Sequence, residues 1–366
     1  MLRTEGEELF LQCQIDKALP ILKEEGKQGN GRSMYLLGTI YREGYGHVTA
    51  DEDIATSWFQ KGKELGNSLC GVSLIGSASG NNLWDLVNIF FAKALREAAA
   101  GDVLAMDEVG RFYTEGGVMY KPEEGLKWIT KSALFEYWRG LYDMGRMYQE
   151  GVIAAQSDEK AMACYKKAAA FGDAYSAYQL GLYGLDHSQT VHEVETSVKW
   201  LESSFAHGNG DAALVLGTFY ENGGDGLIEM KPDTAITWFE KGLSVGQAEC
   251  AAELAFYYRE GIVVPKDKEK ALALYKKAVT LGDEDSLFSL ALLYMENKEE
   301  EKALPYLLKA AETGNRKAQY MAGYMYIFGK GTEENREEGI FYLEQAAQGG
   351  DQGAEKLLAE LGVSAL

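Results

Sequence analysis

The chain has little with which to do chemistry. Its four cysteines, Cys13, Cys70, Cys164 and Cys250, stand far apart with no C-x-x-C or other paired spacing, so neither a disulfide framework nor a zinc site is expected. The four histidines, His47, His187, His192 and His207, form no H-E-x-x-H, and His187 and His192, five residues apart, share no helical face. No metal or cofactor is therefore expected. No run reaches the roughly 20 apolar residues that a membrane span requires. The opening MLRTEGEELF is charged from the start, so no signal peptide is expected and a cytoplasmic, reducing setting is the default. Positive charge is also scarce: 36 basic residues face 56 acidic ones, for a net charge of −20. Such a surface repels phosphate backbones and anionic lipid, which argues against nucleic acid and membrane as partners.

What is present is order and repetition. A composition of 46% apolar and 25% charged residues fits a folded chain. The stretch from Leu141 to Asp173 shows the unit. Leu141, Met144, Gly145 and Tyr148 fall at i, i+3, i+4, i+7, one face of a helix. Ala161, Cys164, Tyr165 and Ala168 do the same, with a loop ending in Ser157 between the two runs and Gly172-Asp173 closing the unit. A helical hairpin of this kind exposes an apolar face unless neighbours of its own type cover it.

The unit recurs along the chain. The small residue of the first helix returns as Gly6, Gly38, Gly76, Gly110, Gly145, Gly181, Gly217, Ala255, Ala291 and Gly323, at intervals of 32 to 38 residues. An aromatic usually follows three positions later, and a large residue such as Trp58, Trp128, Trp200, Trp238, Tyr306 or Tyr342 marks the second helix. Most units stop at Gly-Asn or Gly-Asp, where glycine ends one helix in the left-handed conformation and the Asn or Asp caps the next. Lys121-Pro122-Glu123 and Lys231-Pro232-Asp233 place proline and acid in a first turn, where both are favourable.

Tyr35 to Gly44 and Lys160 to Gly172 match the two halves of a known pattern, A-x-x-x-L-G-x-x-Y-x-x-G-x-G and K-A-x-x-W-Y-x-K-A-A-x-x-G. On these residues the chain resembles the Sel-one-like repeat (SLR), a relative of the tetratricopeptide repeat. The resemblance implies an all-α fold, an α/α solenoid superhelix of about ten SLR-type antiparallel hairpins with a C-terminal capping helix from about Gln352 to Leu361. It also implies a non-catalytic adaptor or scaffold that binds proteins. The expected organisation is a single repeat array over 1–366. Its hairpins fall near 1–29, 30–67, 68–102, 103–136, 137–173, 174–209, 210–246, 247–283, 284–315 and 316–351, with the cap at 352–366.

Three hairpins depart from the pattern. In 68–102, Ser79 stands where the aromatic belongs and the second helix, through Phe90, Phe91 and Leu95, is off register. The hairpin 103–136 ends in Glu136-Tyr137 in place of Gly-Asn, so its exit turn must differ or carry strain of order 1 kcal/mol. The hairpin 174–209 has Tyr183 and Gly184 one position off and then an expected long loop from Asp186 to Glu193.

Few motifs hint at catalysis. Ser157-Asp158-Glu159-Lys160 has the S-x-x-K spacing of β-lactamase-like serine hydrolases, but no K-T-G or S-D-N accompanies it, and Ser157 reads better as a helix N-cap. Gly329-Lys330-Gly331-Thr332 matches only the end of a phosphate-binding loop, and Gly76-Ser77-Ala78-Ser79-Gly80 lacks the central serine of a nucleophile elbow. A serine hydrolase and an exported host-interaction protein remain the rival classes.

The binding candidates come from an analogy with tetratricopeptide-like arrays, whose first helices form the concave wall. Positions three before, one after and four after the key small residue then face the groove. They give Tyr35, Tyr142, Tyr178, Phe288 and Tyr320; Arg111, Arg146 and Tyr324; and Arg42, Gln149, Arg259 and Ile327, with Arg139 on the same stripe. Tyrosine and arginine are the types enriched in binding hot spots. A trough lined with them inside an acidic chain suits a protein or peptide partner bearing carboxylates. The alternative for the arginines is pairing with Glu43, Glu115, Glu150 or Glu260 nearby.

Overall fold

A computed structural model describes residues 3–77, 80–115, 119–224 and 227–363. All regular structure among them is helical. Two compact units are present, Met1–Ala212 and Ala213–Leu366. The first unit begins with α1 (Glu5–Leu11), α2 (Ile15–Lys27), α3 (Gly31–Glu43) and α4 (Glu52–Glu64). Next come α5 (Ser68–Ser73), α6 (Gly80–Leu86), α7 (Ala92–Ala99), α8 (Val103–Thr114) and α9 (Pro122–Leu134). It ends with α10 (Trp138–Glu150), α11 (Asp158–Phe171), α12 (Ala174–His187) and α13 (Val191–Ala206). The division falls within α14 (Asp211–Asn222). The second unit continues with α15 (Pro232–Ser244), α16 (Ala248–Glu260), α17 (Lys268–Leu281) and α18 (Asp285–Glu296). Its last helices are α19 (Glu300–Glu312), α20 (Arg316–Phe328), α21 (Arg336–Gln348) and α22 (Gln352–Glu360).

Helices pack as sequential pairs, α3 on α4, α8 on α9, α10 on α11, α16 on α17 and α20 on α21 among them. At Gly38, Gly110, Gly145, Gly181, Gly217 and Gly323 the small residue is where the pair closes, whereas nothing lies within 4 Å of a side chain added at Gly76. A methyl group at Gly145 would lie 2.5 Å from the Tyr165 ring, and one at Gly323 would lie 2.7 Å from Leu343. The helix axes approach because no side chain intervenes, and the partner's large residue fills the space. The caps follow the pattern too. Asn30, Asp102, Asp173, Asn315 and Asp351 accept from amides in the first turn of the next helix, each such cap contributing about 1 kcal/mol.

The irregular hairpins resolve in three ways. Between α5 and α7 the chain carries a 3-10 turn at Ile75–Ser77 and a π-helical segment at Val87–Phe91; Ser79 lies outside the described residues. Glu136 takes a left-handed φ of 56° at the exit of α9, so the strain expected from the missing glycine is present. The expected loop from Asp186 to Glu193 is not a loop. The helix α12 runs through His187 and α13 starts at Val191, leaving three residues between them. No glycine stands at 187 to stop α12, while Thr190 and Glu193 form a capping box that starts α13 at once.

In the first unit the inner row of helices meets itself. The indole Nε1 of Trp138 on α10 donates to the Phe10 carbonyl at 3.0 Å, and the Tyr175 hydroxyl on α12 donates to the Glu43 carbonyl at 2.9 Å. Tyr45 stacks edge-on against Trp138 with centroids 5.0 Å apart. A side chain on Gly208, whose φ is +104°, would run into the Gly46 carbonyl. Curvature brings the start of the chain against residues 138–209, and a small cavity of about 40 Å³ remains at the junction between Cys13, Tyr45, Asp173 and Asn209.

Candidate functional site

That closure decides the fate of the expected concave surface. Tyr35 is 1% exposed and Arg139 is 3% exposed, so neither presents a surface to a partner, and both are corrected from groove-lining to interior. Tyr35 donates its hydroxyl to Glu108 at 2.8 Å, and Ser73 donates to the other oxygen of Glu108 at 2.7 Å. Arg139 and Arg111 both reach one carboxylate oxygen of Glu43, at 3.1 and 3.0 Å. Arg139 also faces Asp107 at 3.4 Å. The pairing alternative thus holds for Arg111 and Arg139 through Glu43, and for Arg111 again through Glu115 at 2.9 Å. Arg42 lies over the Phe59 ring, 4.3 Å from its centroid, and donates to the Ser73 carbonyl at 3.1 Å.

The electrostatics follow from burial. Desolvation would raise the Glu43 carboxyl, but the guanidiniums of Arg111, Arg139 and Arg42 hold it below the usual range. Asp107 goes the other way: burial pushes it up to about 7 against the pull of Arg139, and neither of its oxygens accepts a hydrogen bond among the described residues. Burial raises Asp173 to about 6 although Ser176 donates to it. Buried charge of this kind fixes geometry and adds little net stability. Sequence reasoning missed Asp107, although it occupies the position three before Gly110 that yields Tyr35 and Tyr142 in other repeats. A lone carboxylate at a position that is tyrosine in four other repeats was the available signal.

Three candidates of the first unit stay accessible. Tyr142 is half-buried between Tyr165 and Tyr175, with centroids 5.9 and 6.1 Å away. One turn on, the Arg146 side chain is 40% exposed; its one ion pair among the described residues is with Glu150, at 3.7 Å, and its Nε is buried without a hydrogen-bond partner. Tyr178 on α12 is half-buried. In the second unit Arg259 pairs with Glu296 at 2.5 Å and Glu260 at 3.5 Å. Tyr320 and Tyr324 stand 6.4 Å apart on α20, and Tyr324 continues the aromatic row to Phe328 at 4.6 Å. Ile327 is buried, and Gln149 accepts the Tyr165 hydroxyl at 2.7 Å.

Ser157 caps α11, its hydroxyl accepting from the Lys160 amide, while the Lys160 ammonium lies over the Tyr148 ring, 5.4 Å from its centroid. The S-x-x-K spacing is thus spent on a helix start. The rest of the elbow-like stretch, Ala78-Ser79, lies outside the described residues. His187 stacks on Tyr183 at 4.1 Å. No described helix is long and apolar enough to cross a membrane.

Comparison with known proteins places this geometry. A Sel1 repeat family model matches residues 31–67, 103–134, 138–173, 210–246, 248–283 and 316–351. It passes over 68–102 and 174–209, two of the irregular hairpins, and over 284–315. The chain is similar to a Sel1 repeat protein from Oxalobacter formigenes, with 22% identity and a TM-score of 0.60 over 99% of this chain and 96% of that one. It is also similar to the antigen c5321 of uropathogenic Escherichia coli, with 24% identity and a TM-score of 0.44 over 95% of this chain and 84% of that one. Among curated proteins it matches the chitin synthase regulator SKT5 of Saccharomyces cerevisiae, 27% identical over 227 residues, 58% of this chain. The match spans 33% of that relative's length. With the matched segments covering more than half of its length, the chain belongs to the Sel1 repeat family.

Proposed function

We propose that the protein is a non-catalytic adaptor that holds a protein or peptide partner bearing carboxylates. The surface it uses is the accessible remainder of the stripe in the first unit: Tyr142, Arg146 and Tyr178. Sel1 repeat proteins mediate contacts between proteins, and the curated relative is named as a regulator of an enzyme. Both support an adaptor reading.

The observation that carries the choice of surface is the state of Arg146. Arg111 and Arg139 are committed to Glu43 at 3.0 and 3.1 Å and Arg259 to Glu296 at 2.5 Å, whereas the Arg146 side chain is 40% exposed and its one ion pair among the described residues is with Glu150, at 3.7 Å. A guanidinium so placed beside a tyrosine ring can take a carboxylate in a bidentate pair. Replacing Arg146 with Ala should remove the partners that the wild-type chain retains on affinity capture, with helicity by circular dichroism unchanged. Equal recovery with both proteins counts against this surface. Covalent labelling of Ser157 by a fluorophosphonate or penicillin probe would instead favour the hydrolase.

A further inference from the structure

A second surface lies between α11, α12 and α13, and a departure from the repeat builds it. Five first helices stop six residues after their small residue on a left-handed glycine: Gly44, Gly151, Gly223, Gly261 and Gly329. The residue in that place on α12 is His187, and the helix continues through it. The following helix, α13, is 16 residues long. The last turn of α12, one residue longer than in those helices, and the start of α13 rise beside α11 and enclose an open groove of about 600 Å³. Segment 174–209 is also one that the family model does not match.

The groove has an apolar floor and a charged rim. Met162, Leu180, Tyr183 and Trp200 line it, with Ala163 exposed on its α11 side. Gly184 leaves bare backbone in the wall, since a side chain there would collide with Ser197. Asp158, Glu159 and Glu193 stand around the opening against a single lysine, Lys166. Glu193 accepts from the Gln189 and Thr190 amides at 2.8 and 3.0 Å, which keeps it ionised.

We propose that this groove binds a short segment of a partner protein that buries one aromatic or branched side chain on Met162, Leu180, Tyr183 and Trp200. Lysine or arginine residues flanking that side chain face Asp158, Glu159 and Glu193. The charge of the rim selects the occupant. An anionic opening on a chain of net charge −20 disfavours phosphates and lipid headgroups, whereas a basic segment gains both steering and pairing. The floor supplies the desolvated anchor that such interfaces need at their centre. This goes beyond the adaptor surface proposed above and involves none of its residues.

The test is fluorescence anisotropy of the full chain with a fluorescein-labelled Lys-Lys-Leu-Phe-Lys-Lys peptide. Controls are Lys-Lys-Ser-Ser-Lys-Lys and Glu-Glu-Leu-Phe-Glu-Glu. The first peptide should bind, at least tenfold more tightly than either control, and more weakly as NaCl rises. Ala163→Arg adds bulk and positive charge at an exposed helical position that tolerates arginine, and should weaken binding at least tenfold with the far-ultraviolet circular dichroism spectrum preserved. Glu159→Lys should weaken it as well. Equal binding of the Ser-Ser control, or unchanged binding to Ala163→Arg, overturns the proposal. So does preference for the acidic peptide, or a dimer in sedimentation velocity that Ala163→Arg abolishes, which would make a second copy the occupant. Since the probe and Ala163 share no residue with the Arg146 surface, failure here leaves the adaptor reading standing, and failure there leaves this one.

Discussion

At the scale of single residues, position in the repeat did not decide exposure. Tyr35 and Tyr142 occupy the same place relative to their glycines, yet Tyr35 is buried on Glu108 while Tyr142 reaches the surface. The difference comes from contacts with residues far along the chain, such as Arg139 with Glu43, which local spacing does not encode. What was legible were the side chains whose partners are near in sequence: Ser157 capping its own helix, and Asp173 accepting from Ser176. Burial gives two of these carboxylates a pH signature. Asp107 and Asp173 have folded values raised to about 7 and about 6, above the ordinary value near 3.9. Their contribution to stability is therefore complete below the unfolded value and is lost as pH rises through about 6 to 7. Asp173→Asn keeps a capping oxygen and removes the titration. Urea unfolding should lose about 1–2 kcal/mol less between pH 5 and pH 8 in the variant than in the wild type. An unchanged pH slope would contradict the assignment.

The helix pair is the scale at which the sequence was most readable. Both partners of a pair lie within one repeat, so the small residue, the facing ring and the terminal glycine appear in a short window. Gly145 shows the energetics: the methyl of an alanine would meet Tyr165 at 2.5 Å, inside a closed layer. Gly145→Ala should destabilise the chain by about 1–3 kcal/mol despite its better helix propensity, because overpacking at a closed contact outweighs the gain of about 1 kcal/mol in an open helix. A shift in the urea midpoint measures it, and a stabilised variant would show that the pair can separate. The pair α12–α13 was misread because a helix end was inferred from irregular spacing. The deciding features were an absent glycine at 187 and the Thr190–Glu193 box.

Across the whole first unit, the closure of the inner row is the feature that repeat periodicity hides. Trp138 fills no repeat position that the pattern marks as large, whereas Trp128 does. In the structure Trp138 is 1% exposed, against Phe10 and Tyr45, and Trp128 is half-buried beneath Lys131. Trp138→Phe removes the indole donor to the Phe10 carbonyl, which still accepts from the Cys13 amide, and vacates part of a closed contact, and should cost about 1–3 kcal/mol. Trp128→Phe should cost less than half as much in the same denaturation experiment; the reverse order would mean that the closure carries no weight. The hydrogen bonds that seal this unit join residues 128 and 132 positions apart. Solenoids ordinarily assemble by extending from any neighbouring repeat, with no ends to bring together. Here the first hairpin must wait until Trp138 and Tyr175 have been synthesised before its inner side is covered. The fold of a repeat protein thus acquires the kinetics of a globular one: a late, slow, loop-closing step during which the apolar edge around Phe10 stays open to chaperones and to misassembly.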